Sequence, residues 1–587
     1  MEKKGISLIV LVITIIVMII LAGAIILALN GSDIIGKATE AKESYWGANI
    51  KERIEVYNGE RELEIALGKP AKDVYEIINS LYEEGLITSE EAEVLRLNPN
   101  NPINVGDIEI SLSRFINTGL KDDDLDPSLK DFITVWRVNA GGTVVLPLFE
   151  KINYNMLGSV DASFIRRDLE YDFYVDYGDG TGVYHITSYN DENAKHTYTN
   201  AGDYEVKITG KCEGFSFYQQ HGQVSKTDTN SNQLISIKQF GAVGFVDVSF
   251  DNARNLNCQL PEPVKNTFKE TLLMPFMFRT CSLTGTIPTN FLKGASKAVI
   301  ICNIFSGQSG LTGFINDDFF SNCFEAISFQ SVFFGCRNLN IKLTENIFKN
   351  NRSLKSLFGI FTYCSNMKGE IPEDLLKNNT ELENTRQLFA ACTGITGSIP
   401  ENLFKYNTKL EDARLTFSQC TGLRGSIPGN LFSNNPDLAG VEALFEQTTG
   451  LTGSIPENLF KNNTKIKAFG YAFNGAIGLT GEIPENLFRY NTEAVSFNSV
   501  FSGCIGLTTI PSNLFKYNTK ANNFNAAFSN LDEDGDAAPG IDITTQMNFI
   551  GIAPKMWERS ITGLTGVDMY RGCTKLSNYA DIPEVWK

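Results

Sequence analysis

Hydrophobic and polar positions follow four different regimes along this chain. Residues 6–29 are apolar without interruption, 24 positions carrying no charge. They predict a helix of roughly 36 Å, enough to cross a hydrocarbon core of about 30 Å. From 34 to 91 apolar residues recur at helical spacing, with Ile50, Ile54, Leu63 and Ile65 set among Glu and Lys. This predicts helices over 34–66 and 71–84, and a short third helix capped by Thr88-Ser89-Glu90-Glu91. A single strand is expected over 105–112. Strict alternation then appears at 134–138, 171–175, 183–187 and 204–208, separated by turn clusters, and predicts a β-sandwich over 130–225.

The fourth regime is a repeat. Gly453-Ser454-Ile455-Pro456-Glu457-Asn458-Leu459-Phe460 recurs almost verbatim, with its proline at Pro372, Pro400, Pro428, Pro456 and Pro484, and at Pro511 after 27 residues. Self-similarity at such a period predicts stacked coils. A phenylalanine seventeen residues after each proline extends the frame from Phe250 to Phe528, giving eleven coils. Tyr570, Cys573 and Leu576 outline a degenerate twelfth beyond an acidic insertion at 532–542. Within a coil, Pro-Glu-Asn-Leu-Phe predicts a short helical turn. Asn407 and its equivalents suit the turn that ends it. Alternation such as Val441, Ala443, Phe445 predicts one short strand per coil. Strands about 4.8 Å apart would make a stack on the order of 50 Å.

Charge narrows the partners. A net charge of −17 is the opposite of a nucleic-acid footprint and excludes a polybasic grip on anionic lipid. Lys3 and Lys4 before the apolar run place the N-terminus in the cytoplasm and the bulk outside. Small residues at Ala22-Gly23-Ala24 keep a cleaved secretory signal as an alternative.

Three resemblances follow from particular motifs. Lys4-Gly5-Ile6-Ser7-Leu8-Ile9-Val10 resembles a type IV prepilin leader. The resemblance implies cleavage by a prepilin peptidase between Gly5 and Ile6 and methylation of Ile6. Val10 stands where that family carries the Glu that helps subunits enter a filament, so an anchor is favoured over a pilus subunit. Val175-Asp176-Tyr177-Gly178-Asp179-Gly180 with His196-Thr197-Tyr198 and Gly202-Asp203-Tyr204 resembles the PKD domain, an immunoglobulin-like spacer. Gly-Leu-Thr-Gly-Ser-Ile-Pro with Phe-x-x-Cys-x-x-Leu is similar to BspA-like leucine-rich repeats of bacterial surface proteins. The expected fold is a multidomain α+β chain. A leader at 1–5 and a transmembrane helix at 6–30 precede a helical stem and small α/β module at 31–125. An immunoglobulin-like β-sandwich at 130–225 and a leucine-rich-repeat solenoid at 233–587 complete it.

Candidate chemistry is sparse. Six of eleven cysteines, Cys281, Cys336, Cys364, Cys392, Cys420 and Cys504, fall three residues after the marker Phe, where other coils carry Ala or Thr. A slot tolerating Cys, Ala and Thr predicts a packed thiol file, not metal or disulfides. His185, His196 and His221 accompany no nucleophile motif. Asp532-Glu533-Asp534-Gly535-Asp536 resembles the start of a calcium loop but has Ile543 where the ligating Glu belongs. A solvated acidic loop is expected there. No catalytic residue, metal or cofactor is assigned. The expected function is adhesion or recognition of an extracellular protein or glycan at a bacterial surface. The alternative is a minor pilin carrying the solenoid on a filament. Specificity should lie where the copies differ, between Leu410 and Thr416 and their counterparts.

Overall fold

The computed structural model describes residues 130–587 apart from 158–159, 219–230, 265, 533–534 and 538–540. Before 130 it describes Arg53, Ile78, Ser80 and Leu81, all helical, and two short strands. The chain divides into two compact units, 1–125 and 126–587. The leader residues Gly5 and Ile6 and the expected membrane helix lie outside the described residues. Among the described residues no helix is long and apolar enough to cross a membrane.

In the first unit, Ile103–Val105 pairs antiparallel with Ile108–Ile110. The single strand expected over 105–112 is therefore two strands. The two letters between them, Gly106 and Asp107, have hairpin-turn chemistry.

The second unit opens on a five-stranded antiparallel sheet. Its order is Val183–Ile186, Tyr171–Asp176, Gly202–Cys212, Phe132–Val138, Leu234–Gln239. Alternation gives it one buried face, with Phe132, Trp136, Phe173, Val175, Val206 and Ile208 inside. The opposing layer is slight: Thr143–Val145 paired with Lys195–Thr197, and two short hairpins.

Sheet and solenoid are joined by strand exchange. Gly214–Ser216 leaves the sheet and pairs parallel with Asp247–Ser249, the first solenoid rung. Leu234–Gln239 returns to the sheet edge beside Phe132–Val138. The two cores meet where Phe132, Phe215 and Phe250 pack, with ring centroids 5.2–6.1 Å apart.

Beyond Phe250 the chain is a β-solenoid: ten turns of 27 or 28 residues to Phe528, then one of 42 to Tyr570. Twelve rings, Phe250 through Phe528 and Tyr570, form one file with neighbouring centroids 5.4–6.3 Å apart and planes within 24°. The degenerate twelfth coil is thus part of the stack. Parallel pairing follows the same axis, through Ile300, Ser328, Ser356, Asn384, Asp412, Gly440, Ala468, Ser496, Asn523 and Thr565.

The strand in each regular coil is shorter than alternation predicts. Three residues pair in the first coils, as in Leu273–Pro275 with Ile300–Cys302, but one residue pairs in most later ones. In early and late coils alike the strand cannot run on through the marker Phe, because a left-handed residue stands two positions either side of it, such as Phe276 (φ 53°) and Thr280 (φ 66°) around Phe278 or Leu415 (φ 57°) and Gln419 (φ 58°) around Phe417. Alternate N–H groups still cross between coils. Those of Ala413, Leu415, Phe417 and Gln419 donate to the carbonyls of Gly440, Glu442, Leu444 and Glu446 at 2.7–3.1 Å. Those of Thr416, Ser418 and Cys420 turn back three residues within the coil, at 3.2 Å. Every backbone donor of this stretch is used, half of them in stacking. The expected helical turn after proline is a run of i→i−3 turns, with Leu403 donating to Pro400 and Asn407 to Phe404.

Candidate binding surface

The repeated letters are committed to one another. Asn351, Asn379, Asn407, Asn435, Asn463, Asn491 and Asn518 are fully buried. Each Nδ2 donates to two carbonyls of the preceding coil at 2.7–3.2 Å; Asn435, for example, reaches Phe404 and Asn407. These asparagines were expected to close a turn within their own coil, and they also bind the preceding one. Arg559 ends the file by donating to the carbonyls of Asn518 and Phe515, at 2.9 and 2.5 Å.

The cysteine slot works the same way. The thiols of Cys281, Cys336, Cys364, Cys392, Cys420, Cys504 and Cys573 donate to the carbonyl of the preceding marker ring at 2.9–3.3 Å. Thr448 uses its hydroxyl at 2.6 Å, and Gln308 its amide at 2.7 Å. The thiol file is real, and a polar hydrogen is its purpose as much as small size. Burial pushes Cys364, Cys420 and Cys504 up to about 12, so the donor hydrogen stays in place. The eleven cysteines are free, and all but Cys258 are buried.

Even the exposed letters of the phrase are used. The Glu after proline accepts from an Asn of the next coil in the pairs Asn402–Glu373, Asn430–Glu401, Asn486–Glu457 and Asn513–Glu485. One turn later, lysines pair with carboxylates of the preceding coil: Lys409–Glu381, Lys465–Asp437 and Lys520–Glu493.

The divergent stretch between 410 and 416 has buried ends, since Leu410, Ala413 and Thr416 are fully enclosed. Its partly exposed members engage each other. Arg414 pairs with Asp412, and its counterpart Arg386 lies 5.4 Å over the Phe358 ring. Among the variable letters that face solvent are tyrosines and cations just before the ladder asparagine, a slot that sequence reasoning passed over. Tyr406, Tyr490 and Tyr517 there are about two-fifths exposed. Their signal was available, because Tyr alternates with Asn in an otherwise constant phrase.

The other candidates are structural. Asp176 accepts from the Gly178 N–H, and Asp179 from the Thr181 N–H and hydroxyl. His196 bonds Asp179 at 2.7 Å and stacks on Tyr177. Burial favours the neutral form of Asp179, but the bonds from Thr181 and His196 outweigh it and hold the group at about 2. His185 bonds Asp172 and stacks on Tyr174 at the sheet surface. His221 lies outside the described residues. Asp532 accepts from the Asp536 N–H in a turn closed by Leu531 and Ala537, so that carboxylate serves its own loop. A cleft of about 650 Å³ on the sheet is lined by Glu150, Asp168, Glu170, Asp172 and Lys211, among others. Lys211 is paired there with Glu170 and Glu213.

No family model matches the chain, and no curated protein does. Among solved structures it is similar to the crystal structure of a TDR receptor, at 16% identity over 56% of this chain and 73% of that one, with a TM-score of 0.23. It is also similar to the leucine-rich-repeat ectodomain of the Arabidopsis receptor kinase HAESA, solved with an N-terminally extended IDA peptide hormone. There the identity is 12% over 58% of this chain and 77% of that one, with a TM-score of 0.14. Neither superposition is close enough to transfer a ligand or a binding face.

Proposed function

We propose that this chain is a non-catalytic recognition protein of a bacterial surface, whose solenoid binds an extracellular macromolecule. The observation that carries this is an asymmetry of use. The repeated letters of each coil are committed to the coil below, while divergent side chains such as Tyr406, Tyr490 and Tyr517 face outward, about two-fifths exposed. Surface of that kind binds through many weak contacts along an axis and offers no convergent catalytic groups.

The sequence resemblances supply the setting. The leader is cut after Gly5, the 6–30 helix holds the protein in the cytoplasmic membrane, and a PKD-like sheet spaces the BspA-like solenoid from it. Sequencing the mature N-terminus of surface-extracted protein tests the anchor. Methylated Ile6 is expected, and an intact Met1 or a start beyond residue 25 contradicts it. Capture of extracellular proteins and glycans by the full-length chain tests recognition. A specific, saturable partner is expected, and hydrolysis of a captured polymer would contradict the non-catalytic assignment.

A further inference from the structure

The slot before the ladder asparagine carries two kinds of residue with different consequences. In three coils where it is Asn, its Nδ2 adds a bond between coils: Asn322 to Lys293, Asn350 to Ser321 and Asn462 to Ser433, at 2.8–3.0 Å. Where it is Tyr, that bond is given up and an aromatic ring faces solvent. Tyr406, Tyr490 and Tyr517 are 38%, 43% and 39% exposed. Such a ring keeps only cation contacts between coils, at 5.0 and 5.9 Å, and leaves apolar surface open to a ligand.

Cations accompany the rings. Lys461 lies 5.9 Å from the Tyr490 ring, Arg489 lies 5.9 Å from Tyr490 and 5.0 Å from Tyr517, and Lys516 lies 5.6 Å from Tyr517. The result is a line of cation, ring, cation, ring, cation across three successive coils. None of the three cations forms an ion pair among the described residues, although lysines a few positions on, such as Lys465 and Lys520, are paired. Nearby carboxylates are engaged elsewhere, Glu457 by Asn486 and Glu485 by Asn513. In the coil of Lys516 the acidic position is Ser512.

Resting on the recognition role above, we propose that Tyr490 and Tyr517, with Lys461, Arg489 and Lys516, bind an acidic polysaccharide laid along the solenoid axis. The flat apolar face of a pyranose stacks on each ring, and its carboxylate or sulfate sits between neighbouring cations. Arg489 supplies the planar fork suited to a carboxylate. A polymer with one charged sugar per repeat matches a surface with one cation and one ring per coil, and several weak contacts then add along the chain. An acidic peptide lacks the flat faces that the rings need.

Affinity electrophoresis of the full-length protein in gels containing polygalacturonate tests this directly. Retardation is expected, declining with salt, and the double variant Tyr490→Asn/Tyr517→Asn should weaken binding about tenfold or more. Asn is what other coils carry at this slot, so the variant keeps the fold; an unchanged melting temperature checks that. Lys461→Gln/Lys516→Gln should flatten the salt dependence. Retardation undiminished in the tyrosine variant overturns the surface. Equal retardation by polyglutamate or single-stranded DNA overturns the ligand class. No retardation by polygalacturonate or dextran sulfate overturns this inference while leaving recognition of another macromolecule intact.

Discussion

At the scale of single residues, the interior of this solenoid is held by polar hydrogens as well as by apolar surface. Asn435 illustrates the point, because its one amide group satisfies two buried carbonyls of the coil below. Asn435→Ala removes one of the two bonds that each carbonyl accepts, leaving those from the Asn407 and Leu410 N–H groups, and should cost about 1–3 kcal/mol in denaturant unfolding with little change in m. Cys420→Ala leaves the Phe389 carbonyl with the Cys392 N–H alone, and should cost about 1 kcal/mol. Alkylation of the native protein should reach only the half-buried Cys258, whereas the unfolded chain should react at all eleven thiols. Asp247 sets a pH dependence. It is fully buried where sheet meets solenoid, accepts from the Tyr154 hydroxyl at 2.9 Å, and is pushed by burial up to about 7. An unfolded aspartate titrates near ~3.9. Between those values the folded chain holds a proton that the unfolded chain has lost, so stability falls as pH rises from ~4 to about 7 and levels off above. Thermal melts of Asp247→Asn across that range should lose this slope.

At the scale of elements, sequence and structure part company where backbone conformation is decided locally. Coil period, marker ring, and the buried Leu and Phe of each turn were legible because each recurs at one spacing in many copies. The length of the strand was not. Val441, Ala443 and Phe445 alternate like a strand, but Ala443 (φ 54°) and Gln447 (φ 52°) are left-handed, and neither residue advertises that conformation. The return of Leu234–Gln239 to the sheet was equally hidden, since a short alternating run does not announce its partner. The C-terminal cap was visible only as a weak echo of the repeat. It closes the stack with Tyr570 on Phe528 and Trp586 packed over Gly566. A Cβ on Gly566 would sit 1.9 Å from the Trp586 ring. Gly566→Ala should therefore expel Trp586, raising its exposure to fluorescence quenching and lowering Tm.

At the scale of the molecule, twelve stacked rings, a ladder of asparagine and a file of thiols interrupted by Gln308, Thr448 and Ala476 make one long interior, joined at its first ring to the core of the antiparallel sheet. Such a stack derives its stability from neighbour contacts and leaves its outward side chains free to vary. That separation between stacking and recognising residues was half legible. The constant letters identified themselves by repetition, but which divergent ones remain unpartnered depended on contacts between coils that no single coil displays. Arg414 and Asp412 differ from their counterparts yet bind each other, whereas Tyr490 and Tyr517 stay about two-fifths exposed beside cations that form no ion pair among the described residues. The most direct test is the affinity of the full-length protein for polygalacturonate, measured in parallel on Asn435→Ala and on Tyr490→Asn/Tyr517→Asn below their melting temperatures. The account predicts wild-type affinity for the asparagine variant and about a tenfold loss for the tyrosine pair. Lost affinity in folded Asn435→Ala, with the tyrosine pair binding as wild type, would contradict it.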